Sequence, residues 1–202
     1  MSRGIIIFAQ NNEYLNYAEQ ASACAGYARK NLSLFDEICL ITNTETLESN
    51  ETLINEYFDR VIISDTFQPD NIRLFKDTTN KLDYASFKNM GRSDVYDLSP
   101  YDETLVIDSD YFIMNDVLDQ VWDSVNDVMI NCNYRDVSER HKENIEYLDN
   151  FSIPMYWATV FYFRKSDFAE NLFTLISHIK YNYKYYSEPE PHLHNRNLFC
   201  PR

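Results

Sequence analysis

Thr104-Leu105-Val106-Ile107-Asp108-Ser109-Asp110-Tyr111-Phe112-Ile113 sets an apolar run against two carboxylates one residue apart, with a second apolar segment behind them. So short and continuous an apolar run describes a strand buried on both faces. On an extended chain residues i and i+2 share a side, so Asp108 and Asp110 are expected to point the same way from the strand end. Two like charges side by side are costly unless a cation lies with them. Hard divalent ions such as magnesium or manganese take carboxylate and phosphate oxygens. The tripeptide therefore reads as a metal–diphosphate site at the end of a sheet strand. The competing reading is a plain solvated turn, because Asp also favours strand-ending turns.

Working outward, the same kind of strand recurs. Gly4 to Ala9 opens the chain as an apolar strand, Asp36 to Thr42 forms a second and Arg60 to Ser64 a third. Between them the spacing of Leu15, Ala18, Ser22 and Ala25 predicts a helix over 13–30, and Leu47, Leu53, Ile54 and Tyr57 a weaker one. The stretch 65–81 reads as polar and irregular. Tyr84 to Val95 is expected to be helical, with Tyr84, Phe87, Met90 and Val95 inward, and Ser99-Pro100-Tyr101-Asp102 stops it. After the two aspartates come a short helix marked by Val117, Leu118, Val121 and Trp122, and a strand over 127–133. A charged stretch over 136–150 and an aromatic strand over 154–163 follow. Ser166 then caps a helix with the stripe Phe168, Leu172, Leu175, Ile176 and Ile179. Strands alternating with helices imply an α/β, Rossmann-like, mostly parallel sheet flanked by helices, whose ligands bind beyond the carboxyl ends of the strands. Asp108 and Asp110, Ala9-Gln10-Asn11, and Thr42-Asn43 all lie at such ends.

Composition narrows the function. With 202 residues, 45% of them hydrophobic, the chain is long enough for one domain with a real core. A net charge of -14 argues against nucleic acid and anionic membranes as partners, because both recruit Lys and Arg. No segment reaches the ~20 apolar residues of a membrane span, so no membrane insertion is expected. The cysteines Cys24, Cys39, Cys132 and Cys200 form no C-x-x-C pair and read as reduced thiols, the first three buried, in a cytoplasmic protein. Three glycines, Gly4, Gly26 and Gly91, leave no glycine-rich phosphate loop. A diphosphate bound by so acidic a chain would need a cation to neutralise it.

The block from Arg92 through Ser99-Pro100-Tyr101-Asp102 and the D-S-D tripeptide to Leu118 and Trp122 resembles nucleotide-sugar glycosyltransferases of the GT-A fold. The likeness is strongest to the family 8, glycogenin-like, branch. The opening strand followed by Asn11-Asn12-Glu13-Tyr14-Leu15 is similar to that family's beginning, and Tyr156 to Phe163 falls where it places an acceptor-side strand. The resemblance implies a GT-A domain over 1–187, with 188–202 a tail that reads as truncated. It implies a hexosyltransferase using a nucleotide-sugar donor, a UDP-sugar by preference, and a hydroxyl acceptor. Asp110 would bind Mn2+ or Mg2+ directly, Asp108 metal, ribose or both, with Ser109 between them at the donor. Arg92 would contact the phosphates or the donor sugar, and Ala9, Gln10 and Tyr14 would hold the base. Tyr14 otherwise reads as a packed aromatic. Family 8 enzymes take a third metal ligand from a histidine near the end of the domain; His194 is the candidate here, with His192 beside it in an H-x-H pair and His178 on a helix. An inverting reaction needs a carboxylate base, for which Asp136 and Asp149 are the candidates; both read equally as surface charges, Asp149 preferentially so, and a retaining reaction needs no such base.

Two rival readings stand beside this one. A metal-dependent phosphohydrolase would use Asp-x-Asp as nucleophile and acid, but such enzymes resemble D-x-D-x-Thr on a first strand, whereas Phe112 follows here on a middle strand. A truncated or inactive domain that binds a nucleotide sugar without turnover is the other.

Overall fold

The computed structural model describes residues 1–65, 72–76, 82–86, 89–132, 156–182 and 185. Six strands form one sheet in the order β3-β2-β1-β6-β8-β7, where β1 is Arg3–Phe8, β2 Glu37–Thr42, β3 Arg60–Ile63, β6 Glu103–Asp108, β7 Val128–Asn131 and β8 Trp157–Arg164. The first three and β6 run parallel, and β8 runs antiparallel to both β6 and β7. Side chains alternate between two cores. Ile5, Ile7, Ile38, Leu40, Leu105 and Ile107 face helices α1 (Tyr17–Asn31) and α2 (Thr44–Tyr57) on one side of the sheet. Ile6, Cys39, Ile41 and Val106 face α3 (Val95–Leu98) and α4 (Asp167–Tyr181) on the other. Burial on both faces is why these strands are continuous in apolar residues rather than alternating.

The chain leaves β1 toward β2 on one side, while β6 lies against β1 on the other. Their carboxyl ends, with Phe8 opposite Asp108, therefore flank the crevice where an open α/β sheet binds ligands. Two contacts hold β6 in place below it. Gly4 lies against the ring of Tyr101, which leaves no room for a side chain at that position. Glu103, 2% exposed, accepts hydrogen bonds from Arg3 Nε, Arg164 Nη2 and Tyr162 Oη at 2.9, 3.0 and 2.6 Å. Buried Asp119, on the 3-10 helix Val117–Asp123, accepts from the backbone N–H groups of Ser33 and Leu34 and so ties the α1–β2 turn to that helix.

Several elements differ from the sequence expectation. Helix α1 starts at Tyr17 rather than Glu13. Asn12 Oδ1 accepts from the N–H groups of Tyr14 and Leu15, Asn11 Oδ1 from Ala18, and Asn16 caps the helix, so the asparagine side chains hold the backbone in a loop. Leu15, expected on the helix stripe, is 47% exposed. The helix expected over Tyr84–Val95 is instead strand β5 (Leu82–Ser86), paired antiparallel with β4 (Ile72–Lys76), then a 3-10 helix, Asn89–Asp94, and α3. Sheet pairing overrides local preference in the first part, and Asn89, Gly91 and Asp94 are poor helix formers in the second. Val95 is fully buried as expected; the side chains of Tyr84, Phe87 and Met90 lie outside the described residues. On α4 the inward residues are Ala169, Phe173 and Ile176; Ile176 of the expected stripe packs on the core, whereas Phe168, Leu175 and Ile179 are 62%, 53% and 36% exposed. Cys24 and Cys39 are buried, but Cys132 at the end of β7 is exposed. The boundary expected at 187/188 and the stretch over 136–150 lie outside the described residues. No helix among those described is long and apolar enough to cross a membrane.

Candidate functional site

Strand β6 ends at Asp108, and the chain folds at once into a tight turn closed by Tyr111 N–H donating to Asp108 O at 3.1 Å. The alternation argument therefore fails beyond Asp108, because the chain is no longer extended. Asp108 points to the Phe161 face of the sheet, where Arg92 Nη1 lies 2.5 Å from its Oδ1. Asp110 stands exposed in the turn, beside α1. The two carboxylates still sense each other, since the charge of Asp110 pushes the Asp108 carboxyl up.

Arg92 is the unusual group. It comes from the 3-10 helix, and its guanidinium lies 5.9 Å above the ring of Phe161. Only 17% of its side chain is exposed, against 25% for Asp108. Nε and Nη2 are both buried without an acceptor. Burial is the leading cause of the shifts at both partners, pushing Arg92 down and Asp108 up against their mutual attraction. A guanidinium nonetheless stays protonated in a protein. The crevice thus holds a permanent cation with one carboxylate on it and two N–H-bearing nitrogens unsatisfied, and buried donors normally have an acceptor.

On the α1 side, the turn residues Ser109, Asp110, Tyr111 and Phe112 close a cavity of about 160 Å³ against Gln20, Ala23, Cys24 and Tyr27. Tyr27 and Phe112 meet edge to face at 5.6 Å. Cys24 Sγ donates to Asp108 O at 3.7 Å. Its thiol is pushed up to about 12 by burial first and then by Asp110 and Asp108. At neutral pH it is a packed, unreactive S–H that helps to seat the turn, not a nucleophile.

The opposite lip of the crevice is the end of β1 and β2. Ala9, 4% exposed, donates its N–H to Ile41 O at 3.0 Å, and Asn11 N–H donates to Thr46 Oγ1 at 2.9 Å. Gln10 between them is half-buried. Tyr14 is 82% exposed and packs in no core, contrary to its reading as a packed aromatic. Thr42, at the last position of β2, is 1% exposed and its Oγ1 has no partner. Sequence reasoning passed over Thr42 as a single residue and missed Gln20, whose Oε1 is likewise buried and unpartnered. The signal for Thr42 was its place at a strand end; for Gln20 there was none.

The structure thus gathers Ala9, Gln10, Arg92, Asp108, Ser109 and Asp110 at one end of the sheet. Asp136, Asp149, His192 and His194 lie outside the described residues. His178 is on α4. Among the described residues no group of three His, Cys, Asp or Glu side chains could hold a metal ion.

The structure superposes on mouse xyloside xylosyltransferase 1 with a TM-score of 0.53 at 12% identity, covering 86% of this chain and 72% of that one. The fold is GT-A. A glycosyltransferase from Streptococcus pneumoniae, GlyE, matches over 94% of this chain with a TM-score of 0.49 at 12% identity, and the chain spans 41% of its length. A 4-diphosphocytidyl-2C-methyl-D-erythritol synthase from Anaerococcus prevotii matches over 93% of this chain with a TM-score of 0.43 at 10% identity. No protein-family description matches the sequence. No curated protein matches it by sequence either.

Proposed function

We propose that this GT-A domain is a hexosyltransferase that moves a sugar from a nucleoside diphosphate sugar, a UDP-sugar by preference, to a hydroxyl acceptor. The observation that carries the reading is Arg92. In a chain of net charge -14, a buried guanidinium with two orphaned nitrogens faces the switch-point crevice and asks for anionic oxygens. A diphosphate supplies them in the bidentate form that Arg favours.

In this reading the lip formed by Ala9 and Gln10 holds the base, with the exposed ring of Tyr14 at the mouth available to stack on it. Ser109 and Asp108 face the ribose and the diphosphate. Asp108 also holds Arg92 in place, so that the guanidinium is oriented before the donor arrives. The two carboxylates suit a hard divalent ion that completes its oxygen shell with donor phosphates and water, as Mg2+ does at sites with one or two protein carboxylates. Asp110, exposed and free of Arg92, would be its first ligand, with Asp108 second and His194 the candidate third. Such an ion, Mn2+ or Mg2+, would act as a Lewis acid that steadies the leaving nucleoside diphosphate. Asp136 is the candidate base at the acceptor.

The second reading, a domain that binds the nucleotide sugar without turnover, draws on one observation: among the described residues no group of three His, Cys, Asp or Glu side chains could hold a metal ion. A phosphohydrolase is disfavoured because Asp108, the carboxylate placed to attack, is held by Arg92.

The test is melting temperature and calorimetric binding with UDP, UDP-glucose and UDP-galactose, with and without Mn2+. A ligand that binds only the folded state raises the melting point by mass action. A manganese-dependent rise that disappears in Asp110→Ala and Arg92→Met, followed by UDP release when acceptor sugars are supplied, is the expected result. Binding without UDP release under any acceptor selects the second reading. No binding of any nucleotide overturns both.

A further inference from the structure

Helix α1 carries two stripes. Ala18, Ala21, Ala25 and Ala28 pack into the core. Gln20, Ala23, Cys24 and Tyr27, also at helical spacing, form one wall of the cavity beside the D-S-D turn, and Ser109 to Phe112 form the other. The donor reading uses Ser109 and Asp110 of this lining, but neither the cavity nor its α1 wall. A volume of about 160 Å³ suits one six-membered ring, since a protein cavity of roughly 150 Å³ takes benzene. Much of the wall is carbon, from Ala23, Tyr27, Tyr111 and Phe112. Tyr27 and Phe112 meet edge to face at 5.6 Å, and Phe112 is 68% exposed although it lines the cavity, so the cavity reaches the surface there.

The polar groups narrow the choice of ring. Gln20 Oε1 is buried and has no partner. The Cys24 S–H in the same lining is already given to Asp108 O. An amide oxygen and a carboxylate accept only, so the ring must bring hydrogen-bond donors. A plain apolar ring would leave Gln20 Oε1 unpaired in the filled cavity, which is unfavourable. An anionic ring would be repelled by Asp110. A pyranose meets both demands, with C–H faces for the aromatic wall and hydroxyl donors for the two acceptors.

We propose that the cavity between α1 and the D-S-D turn is a pyranose subsite, which takes one uncharged sugar ring with its apolar face against Tyr27 and Phe112 and a hydroxyl donating to Gln20 Oε1. In the proposed function this ring belongs to the acceptor, which makes the acceptor a carbohydrate. Only that assignment rests on the donor reading, because the ring binds without nucleotide. Ser109 and Asp110 are common to the cavity and the donor site, so ring and donor are neighbours.

The experiment is saturation-transfer NMR on the full chain without nucleotide, using the methyl pyranosides of glucose, galactose and mannose, and uridine, each at about 10 mM, a range suited to so small a ligand. Wild type is compared with Gln20→Leu, Ala23→Leu and Arg92→Met. Ala23→Leu fills the cavity from an exposed position of α1, where Leu is a good helix former. At least one pyranoside is expected to bind wild type. Its binding should weaken about tenfold in Gln20→Leu, disappear in Ala23→Leu and stay unchanged in Arg92→Met. The melting temperature separates a ligand-binding Gln20 from a structural one. An unpartnered buried acceptor destabilises, so Gln20→Leu should melt at or above wild type. A lower melting temperature with sugar binding unchanged overturns the proposal. So does the absence of binding by all three pyranosides, or binding that Ala23→Leu leaves intact. Uridine binding that Ala23→Leu abolishes, with pyranosides unaffected, would make the cavity a base subsite and overturn it too. If a pyranoside binds as expected while UDP with Mn2+ does not, the donor reading fails alone and the subsite stands.

Discussion

Replacing Gly4 with Ala tests how β6, the strand that delivers Asp108, is held in the sheet. An alanine Cβ at that position would lie 2.1, 2.2 and 2.4 Å from Cε2, Cδ2 and Cζ of Tyr101. Ordinary contact requires more than an ångström of additional separation. Tyr101 cannot give way cheaply: it is 4% exposed, packs with Ile6, Cys39, Val95 and Val106, and donates its hydroxyl to Glu37 Oε2 at 3.1 Å. Overpacking of this kind costs about 1–3 kcal/mol. Losing a hydrogen bond to a charged acceptor adds about 1.5–3 kcal/mol. A total of about 3–5 kcal/mol is a large part of a typical domain's stability. At about 2–4 °C per kcal/mol for a chain of this size, the melting temperature should fall by about 10 °C. Without the clash, Gly→Ala in a strand would be neutral or slightly stabilising, so the sign alone is diagnostic. The assay is a double-mutant cycle by urea unfolding with Gly4→Ala, Tyr101→Ala and both. Once the ring is gone the alanine is harmless, so the double variant should be no less stable than Tyr101→Ala, a coupling of about 3 kcal/mol. Additive effects would refute the contact as the reason for the glycine.

Three further outcomes follow from the same structure. Asp119→Ala strands the N–H groups of Ser33 and Leu34 and should lower stability by about 2–4 kcal/mol in urea unfolding while leaving UDP affinity unchanged, because it lies outside the crevice. The Asp102 carboxyl is held below its ordinary 3.8 by hydrogen bonds from the N–H and hydroxyl of Ser2. A carboxyl with a lowered folded value stabilises above its unfolded value and loses that contribution as pH falls through the lower one. The melting-temperature gap between wild type and Asp102→Asn should therefore be open at pH 7 and narrow as the pH falls through and below the ordinary 3.8, and a gap constant with pH would contradict the assignment. Iodoacetamide applied to the folded protein at pH 8 should label exposed Cys132 and leave Cys24 and Cys39, both pushed up to about 12 by burial, unmodified until the protein unfolds.

How much of this was legible in the sequence depends on the range of the force that decides each feature. Burial of a parallel strand on both faces needs apolar residues at every position, so Gly4–Ala9, Glu37–Thr42 and Thr104–Ile107 announce themselves. The strand-end place of Asp108 follows from the same run. The relation of Asp108 to Asp110 was misjudged because alternation holds only while the chain is extended, and the turn closed by Tyr111 N–H begins at Asp108 itself. The helix expected over Tyr84–Val95 failed because a pairing partner, β4, outweighs local preference. Features set by pairs far apart in sequence left no local trace: Gly4 against Tyr101, Glu103 among Arg3, Arg164 and Tyr162, and Asp94 with Lys180.

In the proposed reading, the crevice is an anion site built by an acidic chain. A net charge of -14 repels a diphosphate at long range, so the attraction must come from charge placed where water does not screen it. The fold does this by burying Arg92 against Phe161 and leaving two of its nitrogens without acceptors. Burying a cation is unfavourable, and Asp108 offsets part of that cost while fixing the guanidinium's direction. In the proposed reading the crevice is cationic inside and acidic at its rim, where exposed Asp110 stands. That arrangement excludes a bare diphosphate at the mouth and admits one that arrives with a divalent ion. UDP affinity should accordingly rise steeply with Mn2+ in wild type and become less dependent on Mn2+ in Asp110→Asn, which removes the rim charge. An Asp110→Asn variant with the same steep dependence would show that the rim carboxylate plays no part in admitting the ligand.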